Sequence, residues 1–178
     1  YLSIPASSDF NLLDDGTFTI EFFFYTDSLS GGYADYVGVF DGSSNGLLIY
    51  EQGGNFDAYI NGAQRVTTTH PGAGKWHHAA LTRDGTTLRL FIDGVLKDSS
   101  TASLGSDYSG ALQIGGASGR VGMVGNISNL RVLKGTALYT SAFTVPTTPL
   151  ANITNTVLLC CQTATTPAKV STDRAVAA

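Results

Sequence analysis

Four tyrosines lie on predicted strands together with a few charged side chains, and this combination could bind a sugar. Aromatic rings stack on the C–H faces of sugars, while carboxylates and guanidinium groups hydrogen-bond the hydroxyl groups. We expect the tyrosines to face one groove; the alternative is that they are aromatics of the sheet surface or of a subunit interface. The candidate ligand-binding residues are Tyr25, Tyr36, Tyr50, Tyr59, Glu21, Asp57 and Arg65.

The glutamates and histidines lack the spacing that catalysis or metal binding requires. A retaining glycosidase holds two carboxylates about 5 Å apart, whereas the only glutamates of the chain, Glu21 and Glu51, are far apart in the sequence. His77 and His78 are adjacent on a predicted strand, so their side chains point to opposite faces and cannot chelate one ion together. The sequence therefore predicts a protein without catalytic residues and without a cofactor.

Cys160 and Cys161 are adjacent and are the only cysteines in the chain. A disulfide between neighbouring residues is strained, so the sequence predicts two free thiols, both buried on an apolar strand. Well-separated cysteine pairs, which stabilise small secreted domains, are missing. This usage favours folding in a reducing cytoplasm.

The elements that would position these residues are short strands separated by tight turns. Apolar residues alternate over residues 17–25, which is the pattern of a strand with one face in a core. Asn61-Gly62, Asp84-Gly85 and Asp93-Gly94 predict the turns of an antiparallel meander. The other predicted strands are residues 36–40, 46–50, 56–60, 63–69, 75–83, 87–92, 95–99, 112–115, 123–133 and 156–162.

The remaining segments are less regular. Trp76 begins a predicted strand and is expected in the core, and the strand at 156–162 is expected to be central because both of its faces are apolar. Residues 135–150 are expected to wrap around the domain as an ordered extended segment with one helical turn at most. The chain is predicted to form one domain over residues 1–162, followed by a linker or exit arm over 163–178.

Composition narrows the class of protein. The chain has 178 residues, of which 43% are hydrophobic and 13% charged, and its formal net charge is −4. This balance predicts one soluble, all-β domain rather than a disordered or helical chain. The Lys and Arg residues are scattered singly, which argues against nucleic-acid binding, and no apolar run has the ~18 residues of a membrane span. Because the chain begins with Tyr1, we expect it to be a segment of a longer protein.

Several motifs in sequence order resemble the laminin-G-like jelly rolls of the concanavalin A-like lectin/glucanase superfamily. The resemblance covers residues 1–162 and implies an all-β fold in which two antiparallel sheets form a jelly-roll sandwich. Many laminin-G-like domains hold a structural Ca²⁺ at the rim between the sheets, and the corresponding candidates here are Asp9, Asp41 and Asp107. The motifs that carry the resemblance are FTIEF (18–22), WHHAALTR (76–83), LRLFIDGV (88–95), LQIG (112–115) and GNISNLRV (125–132).

The C-terminal part is similar to modules in structural and fibre proteins of marine bacteriophages, such as cyanophages. The similar stretches are residues 131–139, 143–150 and 158–162. This resemblance implies a non-enzymatic virion module, assembled in the host cytoplasm, for host-surface attachment or particle decoration. Its expected partners are other virion subunits in a homotrimer and a host-surface glycan bound weakly at several sites. The alternative is a secreted or surface-anchored bacterial carbohydrate-binding module, and a glycoside hydrolase is the third reading.

Overall fold

Twelve strands make up almost all the regular structure of the described residues. The computed structural model describes residues 1–13, 16–40, 45–116 and 119–162, and the only helix within these ranges is a 3-10 helix at Ser8–Phe10. No described helix is long and apolar enough to cross a membrane. The strands are β1 (Leu2–Ile4), β2 (Thr17–Thr26), β3 (Tyr33–Phe40), β4 (Gly46–Gln52), β5 (Asn55–Ile60), β6 (Ala63–Thr69), β7 (Trp76–Asp84), β8 (Thr87–Ile92), β9 (Val95–Ser100), β10 (Leu112–Ile114), β11 (Gly125–Lys134) and β12 (Thr156–Cys160).

The strands form two six-stranded sheets. The first sheet has the order β1-β10-β3-β4-β5-β6, and the second has the order β12-β11-β2-β7-β8-β9. All strand pairs within the sheets are antiparallel. The predicted all-β jelly-roll sandwich is therefore confirmed, and the structure adds the short edge strand β1.

The core lies between the two sheets and follows the predicted alternation. Phe18, Ile20, Phe22 and Phe24 of β2 are all buried, and they face apolar residues of the first sheet such as Ile49. Burying one such side chain contributes about 1.5–3 kcal/mol relative to leaving it in water. The alternation of β2 thus sets which face of the second sheet is internal.

Two of the predicted turns place an Asn or Asp in the left-handed region. Asn61 has φ 42° and Asp93 has φ 52°, values that Asn, Asp and Gly adopt more easily than other residues. The Asp93 carboxylate also accepts a hydrogen bond from the backbone N–H of His78 at 2.9 Å and lies 2.6 Å from Nδ1 of His77. The Asp-Gly turn therefore links the β8–β9 hairpin to β7.

Residues 135–153, which we call the strap, cross the outer face of the second sheet without forming a helix or strand. The Thr82 hydroxyl donates to the Tyr139 carbonyl at 2.7 Å, the Phe143 N–H donates to the Gly94 carbonyl at 2.9 Å, and Arg131 Nη1 donates to the Ala151 carbonyl at 2.8 Å. The expectation of an ordered extended segment is confirmed. The strap gives the second sheet a covered outer face.

The C-terminal strand differs from its prediction in position. β12 pairs only with β11 and is therefore an edge strand of the second sheet, not a central one. Its two apolar faces have another reason: Leu158 and Cys160 face the core, while Leu159 is buried on the strap side. Both thiols are free, with Cys160 buried and Cys161 half-buried. The predicted arm at 163–178 lies outside the described residues.

Candidate functional site

The outer face of the first sheet carries a group of aromatic side chains on β3, β4 and β5. Leu47 and Ile49 of β4 point into the core, so Leu48 and Tyr50, which alternate with them, point outward. We call this surface the tyrosine face, and its members are Tyr33, Phe40, Tyr50, Tyr59 and Arg120.

The rings of the tyrosine face support one another in pairs. Tyr33 stacks on Tyr50 with ring centroids 5.9 Å apart and an interplanar angle of 20°, and Phe40 meets Tyr59 edge-on at 5.8 Å. Tyr33 is 50% exposed, whereas Tyr50 is only 4% exposed. Tyr33 therefore offers its ring to a ligand, and Tyr50 acts as the support beneath it.

A guanidinium group lies between the ring pairs. Arg120 Nη2 donates to Asp35 Oδ1 at 2.9 Å and its Nε contacts the other carboxylate oxygen, while its carbon Cζ lies 5.8 Å from the Tyr33 ring centroid and 5.3 Å from that of Phe40. The hydrogen bonds to Asp35 raise the pKa of Arg120 above its ordinary value. A permanently charged, planar donor group is thus held between aromatic rings.

Amide and carboxylate groups surround the rings. Gln52 Nε2 donates to the Tyr33 hydroxyl at 2.8 Å, and Gln64 Nε2 donates to Asp57 Oδ1 at 3.3 Å. Burial raises the pKa of Asp57, and burial together with the nearby Asp57 charge raises the pKa of Tyr50 to about 12. The tyrosine face thus combines stacking surfaces with hydrogen-bonding groups, the pairing that sugar recognition needs.

Some of the predicted ligand-binding residues share this face. Tyr50, Asp57 and Tyr59 lie on adjacent strands and point outward together. Arg65 lies on the neighbouring strand β6, where its Nε donates to the Ile60 carbonyl at 3.2 Å. The structure therefore places three of the predicted residues on one outer face of the first sheet, and ligand binding there stays a prediction.

Tyr36 does not belong to the face, which corrects the prediction. The pairing of β3 with β4 shifts register between Asp35 and Val37, and Tyr36 turns into the core, where it is 0% exposed. Its hydroxyl lies 3.0 Å from the Thr26 hydroxyl and 2.9 Å from His70 Nε2. A fully buried ring cannot contact a ligand at the surface.

Glu21 is also removed from any surface site. It lies on the outer face of the second sheet beneath the strap, where its carboxylate accepts hydrogen bonds from Arg131 Nε at 2.8 Å, from the Tyr139 hydroxyl at 2.9 Å and from His78 Nε2 at 3.2 Å. Burial acts to raise the pKa of Glu21, but the hydrogen bond from His78 and the charge of Arg131 outweigh it and lower that pKa. Glu21 therefore holds the strap in place as a buried carboxylate.

Tyr25 lies on the second sheet and not in the predicted groove. It pairs across the sheet with Trp76, and the two rings meet at 5.8 Å with an angle of 60°. Trp76 is 50% exposed, so its expected place in the core is wrong. Both residues face outward, at the end of the sheet beyond the strap.

Three members of the tyrosine face, Tyr33, Phe40 and Arg120, are not among the residues predicted to bind a ligand. Tyr33 and Phe40 belong to β3, and the irregularity between Asp35 and Val37 puts Tyr33 on the same face as Phe40, where regular alternation would have put it on the opposite face. Arg120 lies in a loop 85 residues from its partner Asp35. No local pattern signals such a contact.

Two of the three calcium candidates, Asp9 and Asp107, lie within the described ranges. Asp9 belongs to the 3-10 helix, Asp107 Oδ1 accepts a hydrogen bond from the Leu13 N–H at 2.7 Å, and Asp41 lies outside the described residues. In the described part of the chain, no three His, Cys, Asp or Glu side chains are placed to hold a metal ion. A structural calcium stays a prediction.

Comparison with known families places the chain in a class. Residues 1–141 match a family model of the concanavalin A-like lectin/glucanases superfamily. The chain belongs to this superfamily, and the matching model is a laminin G model. The resemblance seen in the strand motifs is thereby confirmed. Comparison with curated proteins finds no match.

Solved structures share the fold at low identity. A proposed carbohydrate-binding protein from Bacteroides ovatus has a TM-score of 0.62 and 16% identity, covering 82% of this chain and 45% of that one. Domain 4 of AbnA, a GH43 extracellular arabinanase from Geobacillus stearothermophilus in complex with arabinotriose, has a TM-score of 0.56 and 16% identity. The match covers 68% of this chain and 62% of that one. Domains LG4-5 of the mouse laminin alpha1 chain have a TM-score of 0.52 and 20% identity, and the match covers 73% of this chain and 40% of that one.

These identities show the fold alone. The chain spans less than two thirds of the length of each of these three structures. They include carbohydrate-binding and laminin G domains and a domain of a glycan-degrading enzyme. The phage origin and the virion role stay predictions.

Proposed function

We propose that the protein is a non-catalytic module that binds a glycan on the tyrosine face. The observation that carries this proposal is the half-exposed Tyr33 ring, stacked on the buried Tyr50 and flanked by the Arg120 guanidinium. A ring fixed by its neighbours loses little side-chain entropy when a sugar stacks on it. Gln52 and Gln64 supply amide groups at the edge of the same surface.

The positions of both glutamates support the non-catalytic part of the proposal. Glu21 is sealed beneath the strap, and Glu51 is buried with one carboxylate oxygen accepting a hydrogen bond from the Ser30 N–H at 2.8 Å. A glycosidase needs two carboxyl groups that face the same bound sugar. Neither glutamate reaches the tyrosine face, and the two carboxylates that lie there, those of Asp35 and Asp57, are each only 1% exposed.

The expected affinity of one site is low. A shallow face with few convergent polar groups is expected to give a Kd in the ~millimolar to high micromolar range. Several copies on one particle gain avidity through effective concentration. A homotrimeric virion fibre or decoration protein that attaches to host-surface glycans, the role that the C-terminal resemblance implies, would present several copies in this way. A bacterial carbohydrate-binding module is the second candidate, favoured by the likeness to the Bacteroides and Geobacillus structures.

The test compares variants of exposed and remote residues on a glycan array and by titration calorimetry. Tyr33→Ala and Tyr59→Ala are expected to weaken glycan binding by about tenfold or more, because each removes a stacking ring. Val95→Ala, which shortens a half-exposed apolar side chain on β9 of the second sheet, is the matched control and is expected to bind normally.

Two results would contradict the proposal. Unchanged binding in both tyrosine variants would remove the tyrosine face from the mechanism. Release of reducing sugar from a polysaccharide panel would establish a hydrolase in place of a binding module.

A further inference from the structure

The strap leaves one end of the second sheet uncovered, and an open cleft of about 420 Å³ lies there. We call it the tryptophan cleft. Phe23 and Trp76 line it on the sheet, Ser128 and Asn129 line it on β11, and Pro146 and Pro149 line it on the strap. Its volume is within the range of about 300–1,000 Å³ that small-molecule sites occupy.

Trp76 gives the cleft a rigid stacking surface. The indole is 50% exposed, although the residue lies within the β2–β7 pairing and its backbone is fixed opposite Tyr25. The Tyr25 ring meets the indole edge-on at 5.8 Å, and Phe23 is held in turn by an edge contact with His78 at 4.8 Å. An exposed aromatic ring that is already ordered binds a flat apolar surface at low entropic cost.

The opposite wall is polar and equally well ordered. Asn129 has φ 51° at the irregularity of β11, and its side chain is fixed at both ends: Oδ1 accepts from the Leu150 N–H at 3.0 Å, and Nδ2 donates to the Ser128 hydroxyl at 2.9 Å. The bond from Leu150 ties the strap to β11, and the bond to Ser128 fixes the orientation of the Asn129 amide. Thr147 and Thr148 add exposed hydroxyl-bearing side chains at the rim.

The side chains that line the cleft are all uncharged. An anionic ligand would find no counterion among them, and a purely apolar ligand would make no use of the exposed Thr147 and Thr148 hydroxyls or of the second Nδ2 hydrogen of Asn129. A neutral sugar ring has an apolar C–H face for the indole and hydroxyl groups for the polar wall. The chemistry of the two walls thus specifies one ligand class.

We propose that the tryptophan cleft is a second binding site, which takes a neutral monosaccharide unit of a glycan stacked on Trp76. This site lies on the second sheet, whereas the tyrosine face lies on the first, so either can bind without the other. The proposal does not rest on the function proposed for the tyrosine face. The two sites can be tested separately on the same chain.

Because Trp76 is the only tryptophan in the chain, its fluorescence reports on this cleft alone. The full chain is titrated with neutral tri- and tetrasaccharides built from glucose, mannose, galactose or arabinose, with sialylated and sulfated sugars and a proline-rich peptide as comparisons. A neutral sugar is expected to shift the emission and to reduce quenching by acrylamide, with a Kd in the ~millimolar to high micromolar range.

The variants are measured by saturation-transfer NMR, which requires no tryptophan. Trp76→Ala is expected to weaken binding of that sugar by about tenfold or more, and Trp76→Phe, which keeps a smaller ring, by less. Val95→Ala, a half-exposed position on β9 of the same sheet, is the matched control and is expected to leave binding at the cleft unchanged. Circular dichroism checks that each variant is folded, and the Phe variant serves if the Ala variant is not.

Three outcomes would overturn the proposal. One is an unchanged tryptophan emission with every neutral sugar up to about 50 mM, well above the expected Kd. The second is a response to charged sugars or to the proline-rich peptide only. The third is equal loss of binding in Val95→Ala and Trp76→Ala, which would show that the loss is not specific to the cleft.

Discussion

Each outer face of the sandwich contains an arginine–carboxylate pair, and the two pairs differ in their access to solvent. Beneath the strap, the side chain of Glu21 is 0% exposed and that of Arg131 is 7% exposed. On the tyrosine face, Asp35 is 1% exposed, but its partner Arg120 is 24% exposed and comes from a surface loop. The Glu21–Arg131 pair is therefore internal. The Asp35 carboxylate, in contrast, is covered by the Arg120 side chain, which itself contacts solvent.

This difference shows how one fold uses two similar surfaces. On the second sheet, the polar outer face binds the chain's own residues 135–153, and its hydrogen-bonding groups are used in that contact. On the first sheet, the Tyr33 ring and the amide groups of Gln52 and Gln64 keep an exposed surface, where we propose that they bind a glycan. A polar outer face thus serves either to position the chain itself or to bind a ligand.

The largest expected effect comes from breaking the internal pair. Arg131→Leu leaves Glu21 buried without its counterion, which is expected to lower the free energy of unfolding by about 3–5 kcal/mol. Arg120→Leu is the matched variant, and it is expected to cost about 1 kcal/mol because water can reach Asp35 once the arginine is gone. Urea unfolding measures both, and equal losses would show that the two pairs have the same surroundings.

A smaller effect is expected from the packing of the strap. The Phe143 ring stacks on Tyr139 with centroids 3.5 Å apart and meets Phe91 edge-on at 5.4 Å, so Phe143→Ala is expected to cost about 2–3 kcal/mol. Tyr33→Ala on the open face is expected to cost less than about 1 kcal/mol. A thermal unfolding scan compares them, and a Tyr33 variant that is the less stable of the two would mean that the tyrosine face is a structural element.

Acid is expected to destabilise the core before the strap. Burial, with the nearby His77, lowers the pKa of His70 to about 4, and its Nδ1 accepts the Gly72 N–H at 3.0 Å, so the ring is neutral in the folded protein. In the unfolded chain a histidine has a pKa of about 6.5. Between these values the unfolded chain binds more protons, so the free energy of unfolding falls as the pH is lowered from about 6.5 to about 4.

The strap loses its contribution at lower pH. The pKa of Glu21 is lowered in the folded protein, so its stabilisation is complete above the ordinary value of about 4.3 and is lost as the pH falls through the folded value. Urea midpoints measured from pH 8 to pH 3 check both ranges. His70→Gln should remove the fall in the free energy of unfolding between about pH 6.5 and about pH 4, whereas Tyr139→Phe should leave that fall unchanged. If the His70 variant still shows the fall, another titrating group causes it.

The smallest expected effect concerns the two thiols at the end of β12. Their sulfur atoms lie 3.6 Å apart, and the contact with Cys161 together with burial raises the pKa of the Cys160 thiol. We expect one thiol, that of Cys161, to react in the native protein and both to react after unfolding. Mass spectrometry after alkylation identifies the modified residue, and native labelling of Cys160 would show that β12 opens.

The inner face of the fold could be predicted because it depends on local rules. Alternation placed Phe18 to Phe24 in the core, and Asn61-Gly62 and Asp93-Gly94 marked turns that the structure contains. The outer faces could not be predicted in this way. Alternation predicts that Glu21 and Phe23 lie on the surface of β2, but the strap covers Glu21. The position of the strap depends on contacts between residues that are distant in the sequence.

The candidate site was predicted in part for a similar reason. Tyr50, Asp57 and Tyr59 follow the regular alternation of β4 and β5, so their common face could be read from the sequence. Tyr36 could not, because an irregularity in β3 turns it inward and breaks the alternation. Trp76 begins its strand at the open end of the sheet, where no element covers it.

The position of β2 in its sheet has a consequence for folding during synthesis. β2 lies between β7 and β11, and its Glu21 is 110 residues ahead of Arg131. At the usual ~5–20 residues per second of translation, a nascent chain carries β2 for roughly 5–20 seconds before β11 is made. During that interval β2 can pair with β7 but has an open edge on its other side, the kind of edge that recruits neighbouring chains. The second sheet is therefore sealed late in translation.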